Sequence, residues 1–227
     1  MTAESPARAE RLSASPPLFD SPFLDRFTRV HPALPAALYG PAAAVLVVAS
    51  VRASGWLTAL PAFLTGYLVW TLTEYWVHRL VFHWEPSCGW GRRLHWTLHG
   101  IHHEHPNDVR RVVMPPVVSL PVAAVAMALF ELLPGRGVGH AVTAGFFTAY
   151  AVYETVHYRV HHHRPSSRVG RTLRRRHLLH HFDDHERGFG VSCPYWDHVF
   201  GTAPRTRTGR AGEPGTPLGD GGSQPAG

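Results

Sequence analysis

Four apolar stretches, each about 20 residues long, are the strongest constraint on how this chain can fold. They run over about 36–54 (AALYGPAAAVLVVASVRAS), 56–77 (WLTALPAFLTGYLVWTLTEYWV), 112–133 (VVMPPVVSLPVAAVAMALFELL) and 138–158 (VGHAVTAGFFTAYAVYETVHY). A helix of that length covers the ~30 Å of hydrocarbon in a bilayer. Prolines and a few charges interrupt the stretches, and four buried core helices of a soluble protein fit the same pattern. Charge placement favours the membrane. All 22 basic residues are arginine, and the links between stretches one and two and between three and four hold only Arg52 and Arg136. The rest lie in the N-terminal arm, in the central 79–111 region and beyond stretch four, as expected of cytoplasmic flanks. The expected fold is therefore all-α: an integral membrane protein with four transmembrane helices in two hairpins. Both termini and a helical lobe are expected on the cytoplasmic side.

Residues 1–34 are polar and rich in Ala, Ser, Pro and Arg, which predicts a disordered or surface-lying arm with no cleavable signal peptide. Residues 35–202 form the expected domain. Residues 203–227 are of low complexity and are expected to stay disordered. The run RTLRRR (171–176) suits either anionic lipid head groups or a solvated face. Cys88 and Cys193 match no zinc spacing and are expected to be reduced thiols.

Histidine is unusually frequent, at 18 copies. Ten fall into four spaced groups on the cytoplasmic side: HRLVFH (His78, His83), LHGIHH (His99, His102, His103), VHYRVH (His157, His161) and RHLLHH (His177, His180, His181). On a helix, positions i, i+3 and i+4 lie on one face, so each HxxHH is expected to aim three rings at one locus. The HxxxxH spacing of His78 and His83 is looser and fits ligands approaching from two sides, or a helix ending near His83. Neutral imidazoles gathered without partners each lose hydrogen bonds to water, at ~1–3 kcal/mol apiece. Protonated ones repel. Metal ions remove both penalties. A structural zinc takes about four ligands and leaves several of the ten idle. Two octahedral ions with about five nitrogens each use all ten, which favours two irons, with zinc able to replace them in purified protein. Glu74, Glu154 and Asp197 are candidates to orient the rings from behind. Asp183, Asp184 and Glu186 flank the last cluster.

With these motifs in view, the sequence resembles the integral-membrane fatty acid hydroxylases of the sterol desaturase superfamily, in particular the fatty acid 2-hydroxylases. The residues that carry the resemblance are EYWVHRLVFH, LHGIHHEHPND, RRVVMPP, YETVHYRVH and RHLLHHFDDHERGFGVSCPYWDHVFGT, over about 70–202. The resemblance implies a dinuclear metal site held by the ten histidines, and hydroxylation at C2 of a fatty acyl chain with O2 and two electrons. It places Tyr153 near the substrate entrance. Glu154 stands where an aspartate is more usual. An HPGG haem motif, found in members with a fused cytochrome b5, does not occur in the sequence, so a separate ferredoxin or cytochrome b5 with its reductase is the expected donor. The expected partners are thus the lipid membrane, a fatty acyl substrate and that donor, with no nucleic acid. Trp70, Tyr75 and Trp76 suit either the acyl path or the membrane interface. Two alternatives stand beside this reading: the same site acting on a sterol, carotenoid or other lipid, and a non-enzymatic metal transport or storage protein. The latter usually binds at the bilayer midplane, whereas these histidines lie at helix ends.

Overall fold

The computed structural model describes residues 6–133 and 135–205, and these are helical with no strand. The proposed disorder of 206–227 lies outside the described residues. Helix α1 (Pro6–Ser13) and α2 (Pro22–Arg26) belong to the N-terminal arm; α3 (Leu34–Ser54) and α4 (Trp56–Val77) form the first long hairpin. The two long helices meet at Gly55, whose φ of +75° is a left-handed value open to glycine at no steric cost. The chain then passes through a wide π-helical turn (His78–Phe82), α5 (Gly89–His95), a second π turn (Trp96–Gly100) and α6 (Ile101–Glu104). Helices α7 (Pro116–Glu131) and α8 (Arg136–His162) make the second hairpin, and α9 (Arg168–Phe182) and α10 (Tyr195–Val199) complete the lobe.

Two helices are long and apolar enough to cross a membrane: Leu34–Ser54 and the 27-residue run Trp56–Phe82. Only 22% and 17% of their apolar windows are buried, so they expose Val45, Trp56, Leu57, Leu64 and Leu68, unlike the core helices of a soluble protein. The third stretch is shorter than its sequence predicts. Pro115 is extended (ψ 142°) and Pro116 opens the helix, because a residue before proline avoids the α region. The resulting α7 has 16 residues and exposes Val117, Leu120, Val122, Val125 and Leu129. The fourth stretch is longer than predicted, 27 residues, and is largely enclosed by the other three helices.

Small residues permit that enclosure. A Cβ on Gly145 would sit 1.9 Å from the carbonyl oxygen of Phe63, and one on Gly66 would sit 1.9 Å from that of Val142, so α4 and α8 touch backbone to backbone. Around this contact Tyr39, Trp70, Phe146, Phe147 and Tyr150 form an edge-to-face aromatic cluster. Ser50 donates to Gly137 O at 2.6 Å, and the Tyr39 and Ser119 hydroxyls pair at 2.9 Å, tying α3 to α8 and α7.

Of the two readings of the arm, disordered or surface-lying, the described residues fit the second. From Pro6 onward it runs along the lobe, with Leu12, Asp25 and Val30 buried. RTLRRR is also partly structural: Arg174 donates to the carbonyls of Val160 and His161, two otherwise orphaned acceptors at the C-terminal end of α8. Both cysteines are free.

Candidate metal centre

All ten histidines of the four motifs converge at the lobe ends of the long helices, and they divide into two groups of five. His78, His83, His99, His103 and His180 make one; His102, His157, His161, His177 and His181 make the other. Within each group the ligand atoms lie within 4.8 Å of one another. The division departs from the expectation that each HxxHH serves one locus. In each motif the i and i+4 rings (His99 and His103; His177 and His181) go to one group, and the i+3 ring (His102; His180) crosses to the other. The reason is helix pitch: adjacent residues point about 100° apart at 3.6 residues per turn, so two neighbouring rings cannot readily face the same ion.

The loose HxxxxH is explained by the π turn. The amide of His83 donates to the His78 carbonyl at 3.2 Å, an i→i+5 bond, so the wider pitch returns His83 to the face of His78. His99 lies in the second π turn. Such turns are rare and recur at functional sites.

Inside each group the rings meet through Nε2. His78–His99 is 3.2 Å, His99–His103 3.0 Å and His83–His180 3.0 Å in the first. In the second, His102–His157 is 3.1 Å, His161–His177 2.8 Å and His177–His181 3.1 Å. Two tautomers are set by their partners. His78 Nδ1 donates to the Phe189 carbonyl at 2.7 Å, and His180 Nδ1 donates to the Arg187 carbonyl at 2.8 Å. A carbonyl only accepts, so each of these rings presents an unprotonated Nε2 to its centre. Burial, then the charge of neighbouring rings, pushes His83 down to about 3 and holds His99, His102, His103, His177, His180 and His181 well below their ordinary range. Neutral, buried, convergent imidazoles without a carboxylate among them fit a borderline divalent metal. A nitrogen–metal bond of ~2.1 Å places opposite ligands ~4.2 Å apart, within the observed spread. Where the groups meet, His103 stacks on His181 at 4.1 Å.

The three candidate carboxylates are buried, but their hydrogen bonds go to backbone amides and hydroxyls rather than to rings. Glu74 accepts from the Ser192 amide at 2.7 Å and from its hydroxyl. Asp197 accepts from the amides of Phe189 (2.9 Å) and Gly190 (3.1 Å) and from the Thr202 hydroxyl (2.9 Å). Both therefore fix the Gly188–Cys193 loop, whose carbonyl at Phe189 holds His78. Burial raises Asp197 despite these bonds. Glu154 accepts from the Met114 amide at 3.1 Å, and its second oxygen is buried without a partner. Asp184 pairs with Arg187 at 3.7 Å. Sequence reasoning missed the carbonyls of Phe189 and Arg187, because backbone acceptors leave no residue signature; the GFG motif was their only trace.

Two cavities adjoin each other, and the first reaches the centres. One, about 280 Å³, is bordered by His99, His102 and His157. The other, about 300 Å³ and almost wholly apolar, runs between α3, α4, α7 and α8 past Trp70, Val122 and Phe146. They share Phe82, Leu98, Met114, Val118, Tyr153 and Glu154. Tyr153 stands at this neck and stacks on His157 at 5.7 Å. Trp70 lines the apolar cavity, whereas Tyr75 is fully buried and bonds Thr202 at 2.9 Å, which rules out an interface role for it. A separate polar depression of about 430 Å³ is lined by half-buried His83 and His103 and by buried His181.

The fatty acid hydroxylase family model matches residues 63–202, the stretch that contains every histidine of both groups. The chain belongs to the fatty acid hydroxylase family. Among curated members it is 36% identical over 195 residues to the dihydroceramide fatty acyl 2-hydroxylase FAH2 of Arabidopsis thaliana, covering 83% of this chain and 80% of that one. It is 40% identical over 144 residues to the ceramide very long chain fatty acid hydroxylase SCS7 of Saccharomyces cerevisiae, covering 62% of this chain and 37% of that one. The human fatty acid 2-hydroxylase is 36% identical over 143 residues, and the chain spans 38% of its length. The structure of full-length scs7p, in which only the hydroxylase domain is visible, superposes with a TM-score of 0.76 at 33% identity, over 80% of this chain and 69% of that one.

Proposed function

We propose that this chain is a membrane-bound monooxygenase that hydroxylates C2 of a fatty acyl chain, in a lipid of the ceramide type that the relatives' names describe. The observation that carries this reading is the contact between two five-imidazole groups and a cavity that continues into an almost wholly apolar chamber. The ten histidines would hold two irons, with zinc as an occupant after purification; the metals supply O2 activation with two electrons. The protein's own residues do the rest. Trp70, Val122 and Phe146 bind the tail by removing apolar surface from water. Tyr153, braced on His157 and on Trp70, narrows the neck, so that the tail lies in the apolar chamber while the head-proximal carbons stay beside His99 and His102. Ile101, Val112 and Val113, all buried, keep bulk water from the reacting carbon.

In this reading α7 and α8 join α3 and α4 as a four-span, two-hairpin anchor with both termini and the lobe cytoplasmic. The exposed apolar side chains of α7 support that. Electrons come from a separate ferredoxin or cytochrome b5, on the side where the edges of His83, His103 and His181 line the polar depression. Membranes containing the expressed chain, supplied with a reductase system, should accumulate 2-hydroxy acyl lipids detectable by mass spectrometry. His102→Ala and His180→Ala, one from each group, should abolish them. Product hydroxylated elsewhere would move the assignment to another lipid. An inert wild type, or variants as active as wild type, would reject the reading.

A further inference from the structure

The cavity beside the histidines is not closed by the family-matched residues alone. Its outer wall is Leu18, Phe19, Leu24, Phe27 and Thr28, all from the arm that precedes residue 63, where the family match begins. A polar, proline-rich segment stays in place only if something holds it, and three kinds of contact do. Asp25, 8% exposed, accepts from the Leu18 amide (2.7 Å), from Arg29 Nε (3.0 Å) and from the guanidinium of Arg111 (3.2 Å). Arg111 is itself buried and also donates to the Pro16 carbonyl, closing the 16–25 turn around one ion-pair cluster. Backbone bonds then pin the arm along the 105–111 loop, which directly follows LHGIHH: Asn107 N to Leu12 O at 3.0 Å, and Val30 N to Arg110 O at 2.8 Å. Asp25 and Asp108 offset Arg29 and Arg111, so this corner carries balanced charge and presents apolar side chains to the cavity.

We infer that residues 16–30 are part of the acyl-lipid binding site: their apolar side chains form the wall against which the head-proximal part of the substrate lies, and the Asp25–Arg29–Arg111 cluster holds that wall in position. The arm would be the element that sets which lipids reach the centre. Phe23, 63% exposed, together with half-exposed Leu24 and Phe27, turns the outer side of α2 toward lipid, and the cavity mouth lies between α2 and Val117 at the start of α7. A substrate can pass from the bilayer to the histidines between these two walls without crossing water.

This inference rests on the acyl-hydroxylase reading for its substrate class, and its test separates the two. Full-length, metal-loaded protein in phosphatidylcholine vesicles is irradiated with an acyl lipid bearing a diazirine close to the acyl carbonyl. Labelled peptides should include residues 16–30 as well as α8. Phe27→Trp and Leu24→Trp, which fill the cavity mouth from half-exposed positions, should cut arm labelling and raise KM about fivefold, with metal content unchanged. Asp25→Asn should increase trypsin cleavage after Arg26 and Arg29. Labelling of α8 without the arm, or unchanged labelling and KM in both Trp variants, would overturn the inference. Arm labelling without any hydroxylated product would leave it standing and reject the reaction instead.

Discussion

Replacing Asp197 by Asn tests whether the loop behind the first histidine group governs its metal affinity. The carboxylate is completely buried and accepts three hydrogen bonds, from Phe189 N, Gly190 N and Thr202 Oγ1. An amide keeps at most one oxygen there, so if it serves Phe189 and Thr202, its NH2 faces the Gly190 N–H. One orphaned donor costs about 1–3 kcal/mol, and two charge-assisted bonds drop to neutral strength. Relief of a desolvated charge offsets part of this, leaving a net loss of about 2 kcal/mol, or about thirtyfold in an equilibrium constant. The loss falls on the Phe189 carbonyl that orients His78 and the nearby Arg187 carbonyl that orients His180, both in the first group. No ring of the second group bonds to this loop through either carbonyl. Metal-loaded Asp197→Asn protein titrated with a chelator should therefore lose one metal per chain about ten- to a hundredfold more readily than wild type and hold the other nearly as wild type does. Loss of both metals together, or a titration identical to wild type, would refute the reasoning.

Three further expectations follow from the same geometry. His83, His99 and His102 lie below their ordinary value of 6.5 in the folded protein, so the unfolded chain binds more protons as pH falls through it; metal-free protein should be most stable above about 6.5 and lose up to ~1.4 kcal/mol per pH unit per ring toward the folded value of about 3 for His83. A melting temperature that rises on acidification would contradict this. Gly145→Ala drives a methyl into the Phe63 carbonyl and should cost about 1–3 kcal/mol or more by chemical denaturation, whereas Gly40→Ala, with nothing within 4 Å, should be neutral or stabilising. Ala123→Phe, at a buried position on the apolar cavity, should shift 2-hydroxy products toward shorter chains by mass spectrometry while leaving metal content intact.

Much of this molecule is legible from residue spacing, and the rest was hidden for separate physical reasons. The long hairpin and all ten convergent histidines follow from apolar length and from motif. Their sorting into two interleaved groups was within reach too, since adjacent His102 and His103 point about 100° apart on any helix. The π turn at His78 was not, because nothing in RLVF announces one widened pitch. The folded arm was hidden more deeply: its composition fits a disordered or a surface-lying segment alike, and what holds it is Asp25 meeting Arg111 86 positions away. The carboxylates were found by type and misplaced by target, since Glu74 and Asp197 act on a loop rather than on a ring. The α7 boundary slipped because the extended Pro115 and Pro116 hold the start of the helix back to residue 116.

The tie between Glu74 and Ser192 imposes a chronology on biosynthesis. The hairpin carrying Glu74 and His78 leaves the ribosome, and can enter a bilayer, long before the loop that will steady its first histidine has been translated. Every five-ring group also waits for α9, which contributes His177, His180 and His181. The long hairpin is therefore complete in the chain before either histidine group can close, and the nascent protein passes through a stage in which these helices exist without a finished site.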